Sequence, residues 1–105
     1  SIVFTSDSVG RRGRAYWGAY GVSKAALEGF MQTLAAELAG TTTIRVNSLD
    51  PGAVRTFLRT RAYPGEDPTT LPTPEQVMAV YLYLMGRDSA GVTGQALTAQ
   101  AGAAQ

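Results

Sequence analysis

The sequence predicts an α/β fold, one half of a doubly wound parallel sheet. Three observations lead there. Short β-type runs alternate with stretches of helical periodicity. Their order is strand, helix, strand, helix, strand, which implies parallel βαβ units with right-handed crossovers. The composition is globular: 45% hydrophobic and 16% charged residues exclude a disordered chain.

Ile2, Val3, Phe4 and Thr5 predict a short buried strand. Residues 6–14, rich in Ser, Gly and Arg, predict a loop. Helical spacing then runs from about Tyr16 to Leu38, with Val22, Ala25, Ala26, Phe30, Leu34 and Leu38 on one face. Gly18, Gly21 and Gly29 each cost roughly 1 kcal/mol against Ala in a helix interior, so either close packing offsets them or the helix begins later. Gly40 stands where a C-cap glycine belongs.

Thr42, Thr43, Ile44 and Val46 predict a second strand over residues 41–47, ended by Asp50-Pro51-Gly52. A long connection runs from Ala53 to Pro72, with room for a short helix at residues 55–62. Connections of this length are usually functional or mobile. Thr73-Pro74-Glu75 is a helix start, an N-cap followed by proline and an acid. Val77, Met78, Val80, Tyr81, Leu84 and Met85 form that helix's apolar face, and Gly86 closes it. A turn and a last short strand fill residues 91–98. Residues 101–105 are a small-residue tail expected to fray.

Two strands and a stub make a poor sheet alone, and the first strand is an open edge. No internal repeat supplies the rest. No signal-peptide pattern opens the chain, which starts Ser1-Ile2. The expectation is a segment of a larger protein: one partial domain over residues 1–105 without an internal boundary. The missing signal and the lack of cysteine suggest a cytoplasmic protein.

Histidine and cysteine are both absent. This excludes Cys/His zinc sites, disulfides, thiol nucleophiles and Ser-His-Asp arrangements. No metal site is expected. A net charge of +1 gives no general attraction to nucleic acid or anionic membrane. No apolar run is long enough to span a bilayer. Catalysis is left to Ser, Thr, Tyr, Lys, Arg, Asp or Glu, or to a borrowed cofactor.

The single lysine, Lys24, lies four residues after Tyr20, which puts both on one helical face. A phenol with a pKa near 10 is a poor acid or base at neutral pH. A nearby ammonium stabilises the phenolate and lowers that value. The pair can then donate and accept a proton. Ser8, twelve positions before Tyr20, lies in the loop after the first strand, where its hydroxyl can hold a substrate oxygen. The bland alternatives are a Lys24–Glu28 surface ion pair, a loop hydroxyl at Ser8, a helix-capping Thr56, and packing roles for Tyr16 and Trp17.

Ser8, Tyr20-Gly21-Val22-Ser23-Lys24, the segment from Arg45-Val46-Asn47-Ser48 through Asp50-Pro51-Gly52 to Thr56, and Thr93-Gly94-Gln95 occur in that order. Together they resemble the C-terminal, catalytic half of a short-chain dehydrogenase/reductase, a Rossmann-like fold. The resemblance covers essentially the whole chain. It implies an NAD(P)-dependent oxidoreductase that interconverts an alcohol and a carbonyl, with NAD or NADP as cofactor. Tyr20 is then the general acid/base. Lys24 lowers its pKa and binds the nicotinamide ribose, and Ser8 orients the reacting oxygen. Pro51, Gly52, Val54 and Thr56 contact the nicotinamide end. The partners implied are a small-molecule substrate and further copies of the chain, as a homodimer or homotetramer.

The sequence departs from the family's pattern in two respects. Many members carry the serine thirteen positions before the tyrosine; here Ser8 stands at twelve and Ser6 at fourteen, and Ser8 fits the local pattern better. The family's glycine-rich phosphate loop has no counterpart in this sequence. The competing reading is therefore a truncated, non-catalytic fragment serving as an oligomerisation or structural module. A flavodoxin-like phosphate-binding domain fits the element order but not the Tyr/Lys pair. Six of the eight arginines, Arg11, Arg12, Arg14, Arg55, Arg59 and Arg61, fall in two loops. Either they form a mouth attractive to anions, or they are solvated loop charge.

Overall fold

The structure, a computed structural model, describes residues 1–100; the expected fraying of residues 101–105 lies outside them. Three parallel strands, β1 (Ile2–Thr5), β2 (Val46–Asp50) and β3 (Ala96–Thr98), lie side by side in chain order. Ile2 pairs with Val46, and Ser48 with Ala96. All five residues of β2 are buried, whereas β1 forms an edge with exposed ends. Four α-helices accompany the strands: α1 (Ser8–Arg11), α2 (Gly18–Leu38), α3 (Phe57–Ala62) and α4 (Met78–Met85). No described helix is long and apolar enough to cross a membrane.

Several boundaries differ from the sequence reading, each for a local reason. The loop after β1 contains α1, because Asp7 accepts a hydrogen bond from the Val9 amide and caps it. α2 begins at Gly18 and not at Tyr16, whose φ of 70° lies in the left-handed region. Gly40 is not a left-handed cap; Ala39 ends the helix in αR geometry. Thr42 then bonds its amide and hydroxyl to the Leu38 carbonyl, so residues 41–45 turn and β2 starts only at Val46. Of the three glycines in α2, only Gly21 has a close neighbour, the Val9 carbonyl; Gly18 and Gly29 face open space. At Thr73 the expected cap is present as a capping box with Gln76, leading through a 3-10 turn (Pro74–Val77) into α4.

The buried face of α2 overlaps the predicted one only in part, with Leu34 and Leu38 packed against the core. Val22 and Phe30 are exposed, while Met31 and Ala35 pack with Val46 and Phe4. Glu28 lies on this same face, a charged residue in an apolar row, and that masked the periodicity. Val77, just before α4, and Leu84 within it are buried as expected, but Met78 and Met85 face outward.

α2 and α4 cover opposite faces of the sheet. Phe4, Val46 and Ser48 point to α2, where Ser48 reaches Glu28. Thr5 points the other way, its hydroxyl 2.8 Å from that of Tyr81 on α4. The strands step in one direction, so crossovers on opposite faces have opposite hands. One of the two departs from the expected right-handed rule. β3 is held by its backbone pairing with β2 and by side chains. The Asn47 amide donates to the Val92 carbonyl at 3.0 Å and accepts from the Gln95 amide at 3.1 Å. Thr93 accepts from the Val46 amide at 3.1 Å. Arg45 binds the carbonyls of Ser89 and Gly86 after α4.

Glu28 joins helix to sheet. Its Oε2 accepts from Ser6 at 2.7 Å and from Arg11 Nε at 2.8 Å, and its Oε1 accepts from Ser48. Arg11 continues to the Leu97 carbonyl at 2.9 Å. Burial alone would raise the Glu28 carboxyl, but the bonds from Ser48, Ser6 and Arg11 outweigh it and hold it below the usual range. Its stabilising contribution is therefore present above the ordinary carboxylate range and lost as pH falls through the lowered native value. Glu28→Ala strands Arg11 and should cost about 3 kcal/mol or more in urea unfolding, with Glu28→Gln costing less. Equal, negligible losses for both would show that the network carries no stability.

Candidate active site

A cleft of about 720 Å³ opens beyond the C-terminal ends of β1 and β2, the edge at which parallel sheets bind ligands. Thr5, Ser6, Asp7 and Ser8 follow β1 into it, and Asp50 to Val54 follow β2. α2 supplies Tyr20 and Lys24, and Trp17 and Tyr63 stack 6.0 Å apart at its side.

Tyr20 and Lys24 do share a face, with Lys24 Nζ 5.5 Å from the Tyr20 ring centroid. The ammonium donates to the Thr5 carbonyl at 3.2 Å. The Lys24–Glu28 surface pair does not form, because Glu28 turns to the sheet. Of the two candidate serines, Ser6 gives its hydroxyl to Glu28. Ser8, also buried, donates to Asp7 Oδ1 at 3.3 Å.

Asp7 is the residue the sequence reading passed over. Its Oδ1 accepts from Ser8 and from the Val9 amide, and its Oδ2 accepts from the Tyr20 hydroxyl at 3.3 Å. Both predicted hydroxyls converge on one carboxylate. Asp7 followed by a helical turn is an N-cap pattern, and that was the signal available for it. Its place, thirteen before Tyr20, was the second.

The expected lowering of the Tyr20 pKa is not found. Burial first, then the charge and hydrogen bond of Asp7 and the charge of Asp50, push the phenol up to about 12. Asp50 ends β2 with 2% exposure. Its Oδ1 accepts from the Gly52 amide at 2.9 Å, a turn that needs the left-handed φ of 77° at Gly52. Its Oδ2 is buried with no hydrogen-bond partner among the described residues. Burial raises the Asp50 carboxyl, opposed by the Gly52 bond and reinforced by the Asp7 charge.

Pro51, Gly52, Val54 and Thr56 all line the cleft. Thr56 also caps α3, accepting from the Arg59 amide at 3.2 Å. Three of the six loop arginines are committed to the fold. Arg11 serves Glu28, Arg55 binds the carbonyls of Pro68 and Leu71 at 2.9 and 3.2 Å, and Arg59 pairs with both oxygens of Glu66. Of the six, Arg14 and Arg59 line the cleft. Trp17 packs as expected, but Tyr16 stands fully exposed.

α1 touches α2 at Gly10. A Cβ there would lie 2.6 Å from Lys24 Cβ and 2.7 Å from the Lys24 carbonyl carbon. This contact sets how near Asp7 and Ser8 come to Tyr20.

A family described as enoyl-(acyl carrier protein) reductase matches residues 1–104. The chain belongs to the short-chain dehydrogenase/reductase family. It is 54% identical over 102 residues to the Escherichia coli oxidoreductase YciK, covering 97% of this chain and 40% of that protein. A short-chain dehydrogenase from Pseudomonas syringae superposes with a TM-score of 0.91 at 66% identity, covering 94% of this chain and 40% of that one. A short-chain dehydrogenase from Escherichia coli CFT073, solved with NADPH, gives 0.90 at 54% identity, covering 95% and 41%. The chain thus spans about 40% of the length of the relatives it matches. The fold is the α/β, parallel-sheet architecture of this oxidoreductase family.

Tyr20 should titrate late. A spectrophotometric alkaline titration should show one tyrosine ionising near 12, absent in Tyr20→Phe. The unfolded chain releases that proton near the ordinary value of about 10, so stability falls as pH rises between the two values. Gly10→Ala should lose about 1–3 kcal/mol of unfolding free energy, because the added carbon meets backbone that must move. A neutral result would show that α1 slides freely.

Proposed function

We propose that this chain is the catalytic half of an NAD(P)-dependent oxidoreductase that exchanges hydride with a polar double bond, alcohol/carbonyl interconversion being the family's expectation. One observation carries the reading: Tyr20, Lys24 and Ser8 meet the Pro51–Thr56 segment in a single cleft at the sheet's ligand edge. The residues present suit a nicotinamide. Gly52 and Tyr20 line the same cleft, and Lys24 Nζ lies 5.5 Å from the Tyr20 ring centroid. Tyr20, Lys24, Pro51, Gly52, Val54 and Thr56 would hold that end of the dinucleotide. The relative solved with NADPH supports NADP(H) over NAD(H).

The bound dinucleotide supplies hydride; the chain supplies position and the proton. Tyr20 keeps its proton on Oη, since its pKa lies far above neutral. It therefore holds the proton that reduction requires, while burial and Asp7 make that proton harder to release. Asp7 holds the hydroxyl by accepting from it, and Ser8 is turned to the same carboxylate. Lys24, anchored on the Thr5 carbonyl, places a positive charge beside the ring.

The alternative, a non-catalytic association module, draws on Val22 and Phe30, 70% and 54% exposed on α2. Such a face also suits a homodimer or homotetramer of the complete enzyme, so the two readings part on catalysis alone. In the full-length protein that carries this chain, Tyr20→Phe should lower kcat by about 10²–10⁴-fold, a far larger effect than on dinucleotide affinity. Retention of most activity refutes the Tyr20 assignment, and failure to bind any nicotinamide dinucleotide favours the association module.

A further inference from the structure

We propose that the bond reduced in this cleft is C=N, so that the substrate presents a basic nitrogen to Asp7, with the charge of Asp50 behind it. The proposal rests on the oxidoreductase reading above and narrows its substrate class to imines.

Asp7 faces the reacting end, and Asp50 lies buried behind the same wall, acting there through its charge. Asp7 takes the Tyr20 hydroxyl at 3.3 Å, the position from which a proton would leave for the substrate. Asp50 is 2% exposed, with Oδ2 lacking any partner among the described residues. An unpartnered buried carboxylate oxygen is costly unless a bound group donates to it. The serine hydroxyl that would ordinarily donate to a substrate oxygen is turned to Asp7. The cations lining the cleft are directed elsewhere: Lys24 to the Thr5 carbonyl, Arg59 to Glu66, and Arg14 to the face of Trp17.

This arrangement selects between the two common acceptors of hydride. An ionised carboxylate only accepts hydrogen bonds, and so does a carbonyl oxygen. Placed together they repel, and the repulsion grows as hydride addition puts negative charge on that oxygen. A C=N nitrogen behaves in the opposite way. Neighbouring negative charge favours its protonated form. That form offers an N–H to the carboxylate, and it is the form whose carbon is most electrophilic. The amine product keeps an N–H donor, so the contact survives the reaction.

The step balances as follows. The iminium carbon gains hydride from the reduced dinucleotide, forming a C–H bond. The C=N π pair moves onto nitrogen and cancels its positive charge. Carbon is reduced by two electrons, and the dinucleotide is oxidised by two. An imine that binds unprotonated takes its proton from Tyr20 Oη, which is refilled from water.

The test uses the full-length holoenzyme with NADPH, 2-methyl-1-pyrroline and cyclopentanone, two rings of similar size. Wild type should favour the imine in kcat/KM by about tenfold or more, and Asp7→Ser should lose about that factor on the imine while gaining on the ketone. Pyrrolidinium should inhibit more strongly than cyclopentanol, and Asp50→Asn should weaken that inhibition. A wild-type preference for the ketone overturns the inference while leaving the oxidoreductase reading intact. An equal loss on both substrates in Asp7→Ser overturns it too, since that is what a purely structural aspartate gives. Turnover of neither ring, with neither inhibitor binding, overturns both readings.

Discussion

Glu28 sits on the sheet-facing side of α2, in a row otherwise apolar, and takes hydrogen bonds from Ser6, Ser48 and Arg11. Ser6 follows β1, Ser48 lies within β2, and Arg11 runs on to a carbonyl of β3. One carboxylate therefore ties the long helix to all three strands. A buried charge in such a place is tolerated only when its partners are all in position. The alignment of α2 on the sheet is consequently determined by polar geometry, and Met31, Ala35 and Val46 fill the space beside it.

That alignment builds the cleft. Ser6 and Arg11 flank α1 and its cap, so the same carboxylate that orients α2 also positions Asp7. Gly10 then brings α1 into contact with Lys24. Tyr20 and Lys24 arrive from one side of this joint, Asp7 and Ser8 from the other. The raised Tyr20 pKa follows from it, since a phenol pressed against a carboxylate in a partly buried cleft resists losing its proton.

Much of this was legible in the sequence. The alternation of elements, the Tyr20–Lys24 spacing and the Pro51-Gly52 turn pointed to the right architecture and brought the named residues to one cleft. What escaped depended on partners distant in the chain. Glu28 reads as a solvated charge until Ser6, Ser48 and Arg11 are placed around it. Asp7 reads as loop until its cap and the hydroxyl of Tyr20 are seen on its two oxygens. Arg55 and Arg59 read either as a ligand mouth or as solvated loop charge until Pro68, Leu71 and Glu66 fold back to meet them. Thr42 shortened β2 through a local side-chain bond that propensity alone does not rank.

The opposite hands of the two crossovers bear on the order in which the chain assembles. A right-twisted strand leads its helix back onto the sheet with one hand only, so the local preference can guide just one of these connections. β3 is located also by Asn47, Val46 and Arg45, residues at the start of β2 that grip the segment leading into it. Those grips need residues 45–47 to be ordered first. The final strand is therefore a late arrival, docking on a template already built. A chain emerging from its N-terminus completes that template before the last strand is made.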